Sequence, residues 1–207
     1  MKLKQLLEMP QFYNHEMTSD DGDMMTPFFI TDERMQERCT VIARKDNVVV
    51  AIAKDLGNAM LGVTTARHDG KTGVMSYGNI IFKGQYKLGT AANSIQLQSQ
   101  QVLQISVVTV IKDDKFKGLG SFMYSSLVQA GFTIISDNQH FVGGKELWKK
   151  LSRSHLANEV VYLINRGAVV LDEAGKPLEY NGTNLPDDKI WSSDEQLKYI
   201  LFVYRLR

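Results

Sequence analysis

The alternation of apolar and polar residues predicts a run of β-strands in the first half of the chain. Four apolar or β-branched segments, 39–43, 48–54, 60–66 and 74–83, are separated by turn-forming residues and predict an antiparallel meander. Residues 101–111 alternate with a nearly unbroken apolar face, and this pattern predicts a long, largely buried central strand.

The second half of the chain predicts helices between strands. From Leu119 to Ala130 apolar residues recur with a helical period, and Gly131 follows at the usual position of a C-terminal glycine. The remaining predicted elements are a strand at 132–136, a loop at 137–144, an amphipathic helix at 145–156, a strand or strand pair at 159–172 and a final strand at 197–206.

This order of elements predicts a single α/β (α+β) domain, with a mixed, mostly antiparallel sheet flanked by helices. The expected parts are an N-terminal extension (1–37), a core (38–172), a loop excursion rich in Gly, Pro and Asn (173–194) and a final strand (195–207).

Composition narrows the classes of function. Lys and Arg total 24 against 23 for Asp and Glu, and the net charge of +1 argues against nucleic-acid binding through bulk charge. The single cysteine, Cys39, excludes an intramolecular disulfide. The histidines and the acidic segment 20–23 lack the spacing of metal ligands. Because the apolar runs are strand-length and the N-terminus is no signal peptide, we expect a cytoplasmic protein without membrane contact.

The most informative motif lies at the turn from the central strand to the first long helix. It reads Lys115-x-x-Gly118-x-Gly120. Two glycines there allow the main chain to approach a ligand closely, and a helix N-terminus supplies free N–H groups and a partial positive charge. The motif therefore predicts an anion site suited to a pyrophosphate, with Lys115 and Lys117 adding charge.

Two common phosphate-binding motifs do not fit the sequence. Gly143-Gly144-Lys145 is not a P-loop, because Gln139 stands at the first glycine position and Glu146 at the Ser/Thr position. Gly118-x-Gly120 is not a dinucleotide fingerprint, because Met123 stands at the third glycine position. A third pattern fits except at one position: a long strand, a polar break, [Gln/Arg]-x-x-Gly-x-[Gly/Ala] and an amphipathic helix. Lys115 stands at the Gln/Arg position, where it would still neutralise phosphate but lacks the planar fork of arginine.

These residues resemble the GNAT superfamily of N-acetyltransferases. The resemblance covers the strand at 107–110, the turn at 115–120, the helix at 121–130, and the strand and helix that follow. The segment 136–148 is also similar to one found in bacteriophage-encoded GNAT-like proteins, which would place the protein in a host cytoplasm.

The resemblance implies a GNAT-like fold in which the central strand and the next core strand splay apart around acetyl-CoA as co-substrate. It implies transfer of the acetyl group to a primary amine of a small molecule or protein. The residues implied to bind acetyl-CoA are Thr109, Val110 and Ile111 at the pantetheine, and Lys115, Lys117, Gly118, Leu119, Gly120 and Ser121 at the pyrophosphate.

The sequence departs from the family pattern at the catalytic groups. The central strand carries no glutamate, and Gln104 and Ser106 are its polar candidates. Trp148 lies where many members have a tyrosine acid, and an indole cannot protonate a thiolate. Asp137 and His140 follow the second core strand, near the acceptor site that the resemblance implies, and are the candidate catalytic residues, as amine ligand and base. The alternative is a loop histidine and an aspartate at a helix N-terminus.

Other interpretations stay open. The glycines would also serve a tight turn alone, and the whole chain would also suit a catalytically inactive GNAT-fold protein that binds a host or virion protein. A different nucleotide-ligand enzyme is a third candidate. We expect Trp148 and Cys39 to be core residues, and Tyr180 and Trp191 to be candidates for a substrate lid. The basic stripe on the second helix is expected to be solvated rather than to bind nucleic acid; it comprises Lys145, Lys149, Lys150 and Arg153.

Overall fold

A computed structural model of the chain describes residues 11–13, 29–46, 48–53, 59–68, 71–88, 95–110, 117–136, 139–153, 158–165, 168–191 and 200–207. The first strands are β1 (Gln11–Tyr13), β2 (Phe29–Thr31), β3 (Cys39–Lys45), β4 (Val48–Ala53), β5 (Ala59–His68) and β6 (Lys71–Leu88). The later strands are β7 (Ile95–Val110), β8 (Thr133–Ile135), β9 (Gln139–Phe141), β10 (Glu159–Asn165), β11 (Ala168–Val169) and β12 (Ile200–Leu206). The helices are α1 (Asp32–Arg38), α2 (Leu119–Gln129), α3 (Val142–Arg153) and α4 (Asp187–Ile190).

The predicted fold class is confirmed at the level of a mixed α/β protein with mostly antiparallel strands. The chain forms two compact units. The first comprises Met1–Glu16, Phe82–Gln104 and Gly131–Arg207, and the second comprises Met17–Ile81 and Ile105–Ala130.

The second unit contains the predicted meander. Strands β3, β4, β5 and β6 pair in sequence order, each antiparallel to the next, and β2 pairs with the start of β6. Residues Val49 to Ile52 of β4 are all at most 4% exposed, so both faces of this strand are covered. A strand buried on both faces has a continuous apolar sequence, which is what β4 has. Met35 of α1 is also buried.

The first unit contains a second set of strands in the order β11-β10-β12-β8-β7. β10, β12 and β8 are mutually antiparallel, whereas β7 and β8 pair in parallel. Along one face of these strands Leu103, Ile134, Tyr204 and Val161 are registered side by side, and all four are buried. The core of this unit therefore lies on β8, β10 and β12.

The predicted loop excursion is a packed part of the first unit. Residues 171–177 form a hairpin in which Asp172 Oδ1 accepts hydrogen bonds from the N–H groups of Ala174 and Lys176, at 2.9 and 2.8 Å. The chain then returns to β10, where Tyr180 N–H donates to the Val161 carbonyl at 2.8 Å. A turn at 181–184 and α4 follow.

Aromatic rings join this segment to the rest of the first unit. Phe202 of β12 lies between the indoles of Trp148 and Trp191, with centroid distances of 5.0 and 4.8 Å and nearly parallel planes. The Tyr180 ring packs against the same phenyl ring, with 5.7 Å between the two ring centroids. Trp148 is thus the core residue that the sequence predicts, and Tyr180 and Trp191 are core residues rather than parts of an open lid.

A separate two-stranded sheet is formed by β1 and β9, which run parallel. The sequence predicts a loop at 137–144, so this strand and the start of α3 at Val142 are corrections to the sequence analysis. Within the part of the chain that the structure describes, no helix has the length and apolar character needed to cross a membrane.

Candidate functional site

The motif at 115–120 lies in the connection between two parallel strands. β7 pairs with β8 through Val102–Thr133, Leu103–Ile134 and Gln104–Ile135. Parallel strands need a crossover connection, and here α2 is part of it. The predicted order of central strand, glycine turn, helix and next core strand is confirmed.

The parallel ladder between β7 and β8 is short. It ends at Gln104 and Ile135, while β7 continues to Val110. Beyond the last registered pair, Gln104 Nε2 donates a hydrogen bond to the Ser136 carbonyl at 3.2 Å. Ser136 is 1% exposed, and its Oγ accepts a hydrogen bond from Phe202 N–H at 3.0 Å. The end of β8 is therefore held by β12.

The bond to Ser136 changes the interpretation of Gln104. Its side chain is buried and used to bind the main chain at the end of β8. We therefore assign Gln104 a structural role rather than that of the missing glutamate base.

The N-terminus of α2 has a main chain arranged by glycine. Gly118 is the N-cap, with φ of 92°, and its carbonyl accepts the first helical hydrogen bond from Phe122 N–H at 3.0 Å. A positive φ is strained for residues with a side chain, so glycine is required there. Within the described part of the chain no side chain caps this helix, and its first turn carries no acid. Lys117, just before the cap, is exposed.

The helix α2 is held in place by its buried side chains. Met123, Leu127 and Val128 are each 0% exposed, and Leu119 is 5% exposed. Leu119 can therefore contribute only its main-chain N–H to a ligand. Tyr124, which the periodicity does not place on the buried stripe, is 5% exposed and belongs to the core as well.

The predicted cofactor-binding residues fall into three groups. Those at the start of α2 are close in sequence and structure and lie in the second unit; they are Lys117, Gly118, Leu119, Gly120 and Ser121. Thr109 and Val110 end β7 in the same unit. Ile111 and Lys115 lie outside the described residues.

Of the two candidate catalytic residues, Asp137 lies outside the described residues, and His140 belongs to the first unit. His140 is the central residue of β9 and is registered opposite Phe12 of β1. It is thus part of a strand ladder and not of the predicted loop.

The basic stripe of α3 holds α4 in place. Lys145 and Lys149 Nζ both contact Asp187 Oδ2, at 2.8 and 2.7 Å. Burial alone would raise the pKa of Asp187, but the hydrogen bonds and charges of the two lysines outweigh it and lower the pKa below its ordinary value. These lysines therefore have an intramolecular role, which the pattern of charges along α3 does not reveal.

A buried polar pair is a further feature that sequence reasoning missed. The Tyr204 hydroxyl donates to the Glu159 carboxylate, and the two residues are 0% and 5% exposed. The positions are diagonal neighbours on the β10–β12 ladder, since Glu159 is registered with Leu206. A hydrogen bond reduces the cost of burying a carboxylate, so the pair is well suited to a structural role. The only signal in the sequence is an acid at the first position of an apolar strand.

Across the described residues, no cluster of three or more His, Cys, Asp or Glu side chains could hold a metal ion. No family model, curated protein or solved structure matches the chain.

Proposed function

We propose that the protein is an N-acetyltransferase that transfers the acetyl group of acetyl-CoA to a primary amine. The main support is the β7–α2–β8 connection. It combines a parallel ladder that ends after three residue pairs with a helix that starts at a left-handed glycine. The resemblance of residues 107–130 to GNAT sequences supplies the choice of cofactor.

The start of α2 meets the chemical requirements of a pyrophosphate site. Its first N–H groups are directed along the helix axis and carry partial positive charge. Because positions 118 and 120 are glycines, neither places a Cβ beside this main chain, and no acid of the first turn of the helix repels an anion. Exposed Lys117 would add attraction.

In the proposed reaction the main chain of Thr109 and Val110 would bind the pantetheine. The amine nitrogen would form a bond to the thioester carbonyl carbon, and the carbon–sulfur bond would break to release the thiolate of coenzyme A. The amine loses a proton in this step and the thiolate gains one. The protein would act chiefly by orienting the two substrates and polarising the carbonyl. Asp137 and His140 remain the proposed amine ligand and base.

Binding of acetyl-CoA, measured by calorimetry and thermal shift, tests the cofactor half of the proposal. We expect Gly120→Glu to abolish binding, because a carboxylate would lie in the first turn of α2. Gly143→Glu is the matched control: it introduces the same residue near the start of α3, where an added Cβ meets no atom within 4 Å. Absence of heat and of thermal shift for the wild-type protein, or loss of binding in both variants, would reject the site.

Release of free thiol from acetyl-CoA with a panel of amines tests the transfer half. Replacing His140 by Gln should reduce the rate without changing cofactor affinity. A wild-type protein that binds acetyl-CoA and releases no thiol with any amine would contradict the proposed reaction.

The second candidate function is a GNAT-like binding protein without catalytic activity. The observation that favours it is Trp148, which is 2% exposed and stacked on Phe202, so that α3 offers a core indole where the family pattern has an acid. Capture of one macromolecular partner with equal yield by the wild-type and Gly120→Glu proteins would support it. Rapid acetyl transfer would exclude it.

A further inference from the structure

A lysine from the β-meander lies beside the first turn of α2. Lys45 is the last residue of β3, and its Nζ is placed over the Phe122 ring, 5.8 Å from the ring centroid. Both residues belong to the second unit, in which α2 and β3 contact each other. Because the two residues are distant in the chain, the motif at 115–120 does not reveal this contact.

The Phe122 ring places Lys45 near the positive end of the helix. Phe122 N–H donates the first helical hydrogen bond, to the Gly118 carbonyl, so its side chain belongs to the first turn. Side chains of a helix point back toward its N-terminus, and the phenyl ring therefore covers the start of α2. An ammonium group over that ring lies close to the free N–H groups of the first turn.

This position is unfavourable for a cation unless an anion is bound. A helix N-terminus carries partial positive charge, so it attracts acids and repels lysine. Lys117 adds a second positive charge just before the cap, and the first turn contains no acid. The attraction of an exposed ammonium to a phenyl ring is weak, because water competes for the charge. An anion at the start of α2 would be attracted by both lysines and by the helix.

The groups that would contact an anion are accessible. Lys45 and Lys117 are exposed, and Gly118, Gly120 and Phe122 are partly exposed. The lysine side chain is a flexible stem that ends in a compact charge. The ammonium of Lys45 can therefore leave the ring and turn toward a ligand without a shift of β3.

We propose that Lys45 is a further cofactor-binding residue of the acetyl-CoA site, and that its ammonium exchanges the Phe122 ring for a phosphate group of the cofactor. Acetyl-CoA carries a pyrophosphate and a ribose phosphate, so it offers phosphate oxygens to more than one cation. A charge-assisted hydrogen bond to phosphate is stronger than the contact with the ring. The inference rests on the proposed function, because it adds a residue to that site.

The role of Lys45 extends the site beyond the glycine turn. The start of α2 supplies main-chain N–H groups and Lys117, and β3 supplies a second ammonium from a separate segment of the chain. Both segments belong to the second unit. The phosphate end of the cofactor is therefore bound by the second unit alone.

Lys45→Met tests the inference in the full-length chain. Methionine keeps an unbranched stem, and its sulfur packs well on aromatic rings, so the variant removes the charge and retains a contact with Phe122. Arg44→Met is the matched control: it removes one positive charge from the neighbouring exposed residue, which points to the opposite face of the strand. By calorimetry at low salt, we expect Lys45→Met to bind acetyl-CoA about tenfold more weakly and Arg44→Met less than about twofold more weakly.

The melting temperature without ligand separates binding from a structural role. Because Lys45 lies at the positive end of a helix, Lys45→Met should leave the melting temperature of the ligand-free protein unchanged or slightly raised. The increase in melting temperature on addition of acetyl-CoA should be smaller than in the wild type. Lys45→Arg keeps the charge and should recover most of that increase.

The dephospho analogue of acetyl-CoA, which lacks the ribose phosphate, identifies the group that Lys45 binds. If it is the ribose phosphate, the wild type and Lys45→Met bind the analogue equally. If it is the pyrophosphate, the variant loses affinity for both ligands.

Three results would overturn the inference and leave the proposed function standing. The wild type and Lys45→Met bind acetyl-CoA equally, Arg44→Met loses as much affinity as Lys45→Met, or Lys45→Met and Lys45→Arg both lower the melting temperature of the ligand-free protein. The third result would assign Lys45 a structural role. A wild-type protein that does not bind acetyl-CoA would reject the proposed function and this inference with it.

Discussion

Gly182, in the turn at 181–184, lies against α3. Its replacement by alanine should destabilise the first unit. Its φ is +83°, and an added Cβ would lie 3.0 Å from the Lys149 carbonyl oxygen and 3.0 Å from Arg153 Nε. The arginine side chain can move aside, but the carbonyl belongs to the main chain of a packed helix. Either the turn or the helix must therefore shift.

The expected cost follows from these two features. Left-handed backbone costs a residue with a side chain about 1–2 kcal/mol, and forcing an extra carbon into a packed site costs about 1–3 kcal/mol. Together they predict a loss of about 2–5 kcal/mol in the free energy of unfolding. For a protein of this size the melting temperature would fall by roughly 5–20 °C.

Chemical denaturation of two matched variants separates the two contributions. Gly175 has φ of +75°, and an added Cβ would meet nothing within 4 Å, so Gly175→Ala carries the backbone cost without the clash. We expect Gly182→Ala to be less stable than Gly175→Ala by about 1–3 kcal/mol. Equal stability of the two variants would show that the contact with Lys149 is not maintained in solution and would refute the reasoning.

Two further predictions concern polar groups of the first unit. Ser136→Ala would leave the buried N–H of Phe202 without its acceptor and should lower the free energy of unfolding by about 1–3 kcal/mol. Ser152→Ala is the control. It removes a hydroxyl that donates to the Trp148 carbonyl, and the expected loss is less than about 0.5 kcal/mol. Equal losses would contradict the role given to Ser136. Because the pKa of Asp187 is lowered in the folded protein, its contribution to stability is complete above pH 3.8 and is lost as the pH falls through the lower folded value. The wild type should therefore be more stable than Asp187→Asn at neutral pH, and denaturation curves should converge well below pH 3.8; a constant difference would contradict this.

The elements that sequence reasoning located correctly are those with a local cause. The turn residues between β3, β4 and β5 separate apolar runs, and the period of α2 is carried by residues such as Met123 and Leu127. The stop at Gly131 is also local, and the structure gives this glycine φ of 90°. Because neighbouring residues determine these elements, they can be predicted from a single sequence.

The elements that sequence reasoning missed depend on distant partners. β9 exists because residues 139–141 pair with β1, whose sequence lies near the other end of the chain. The segment after β11 contains Gly, Pro and Asn and looks irregular, yet Tyr180 and Trp191 are buried against Phe202. The candidate site shows the same contrast. Its glycine turn is predicted from a local motif, whereas the hydrogen bond of Gln104 to Ser136 at the end of the β7–β8 ladder joins residues that are distant in sequence.

The stacking of Phe202 between two indoles determines what fluorescence can report. The sequence contains 2 tryptophans, and they are Trp148 and Trp191, both in the first unit. Their emission therefore measures the docking of residues 168–191 on α3 and β12, and the second unit contributes no tryptophan signal of its own. An unfolding curve followed by tryptophan emission and one followed by backbone circular dichroism should coincide only if the two units lose structure together, so the protein carries an intrinsic probe of how the units are coupled.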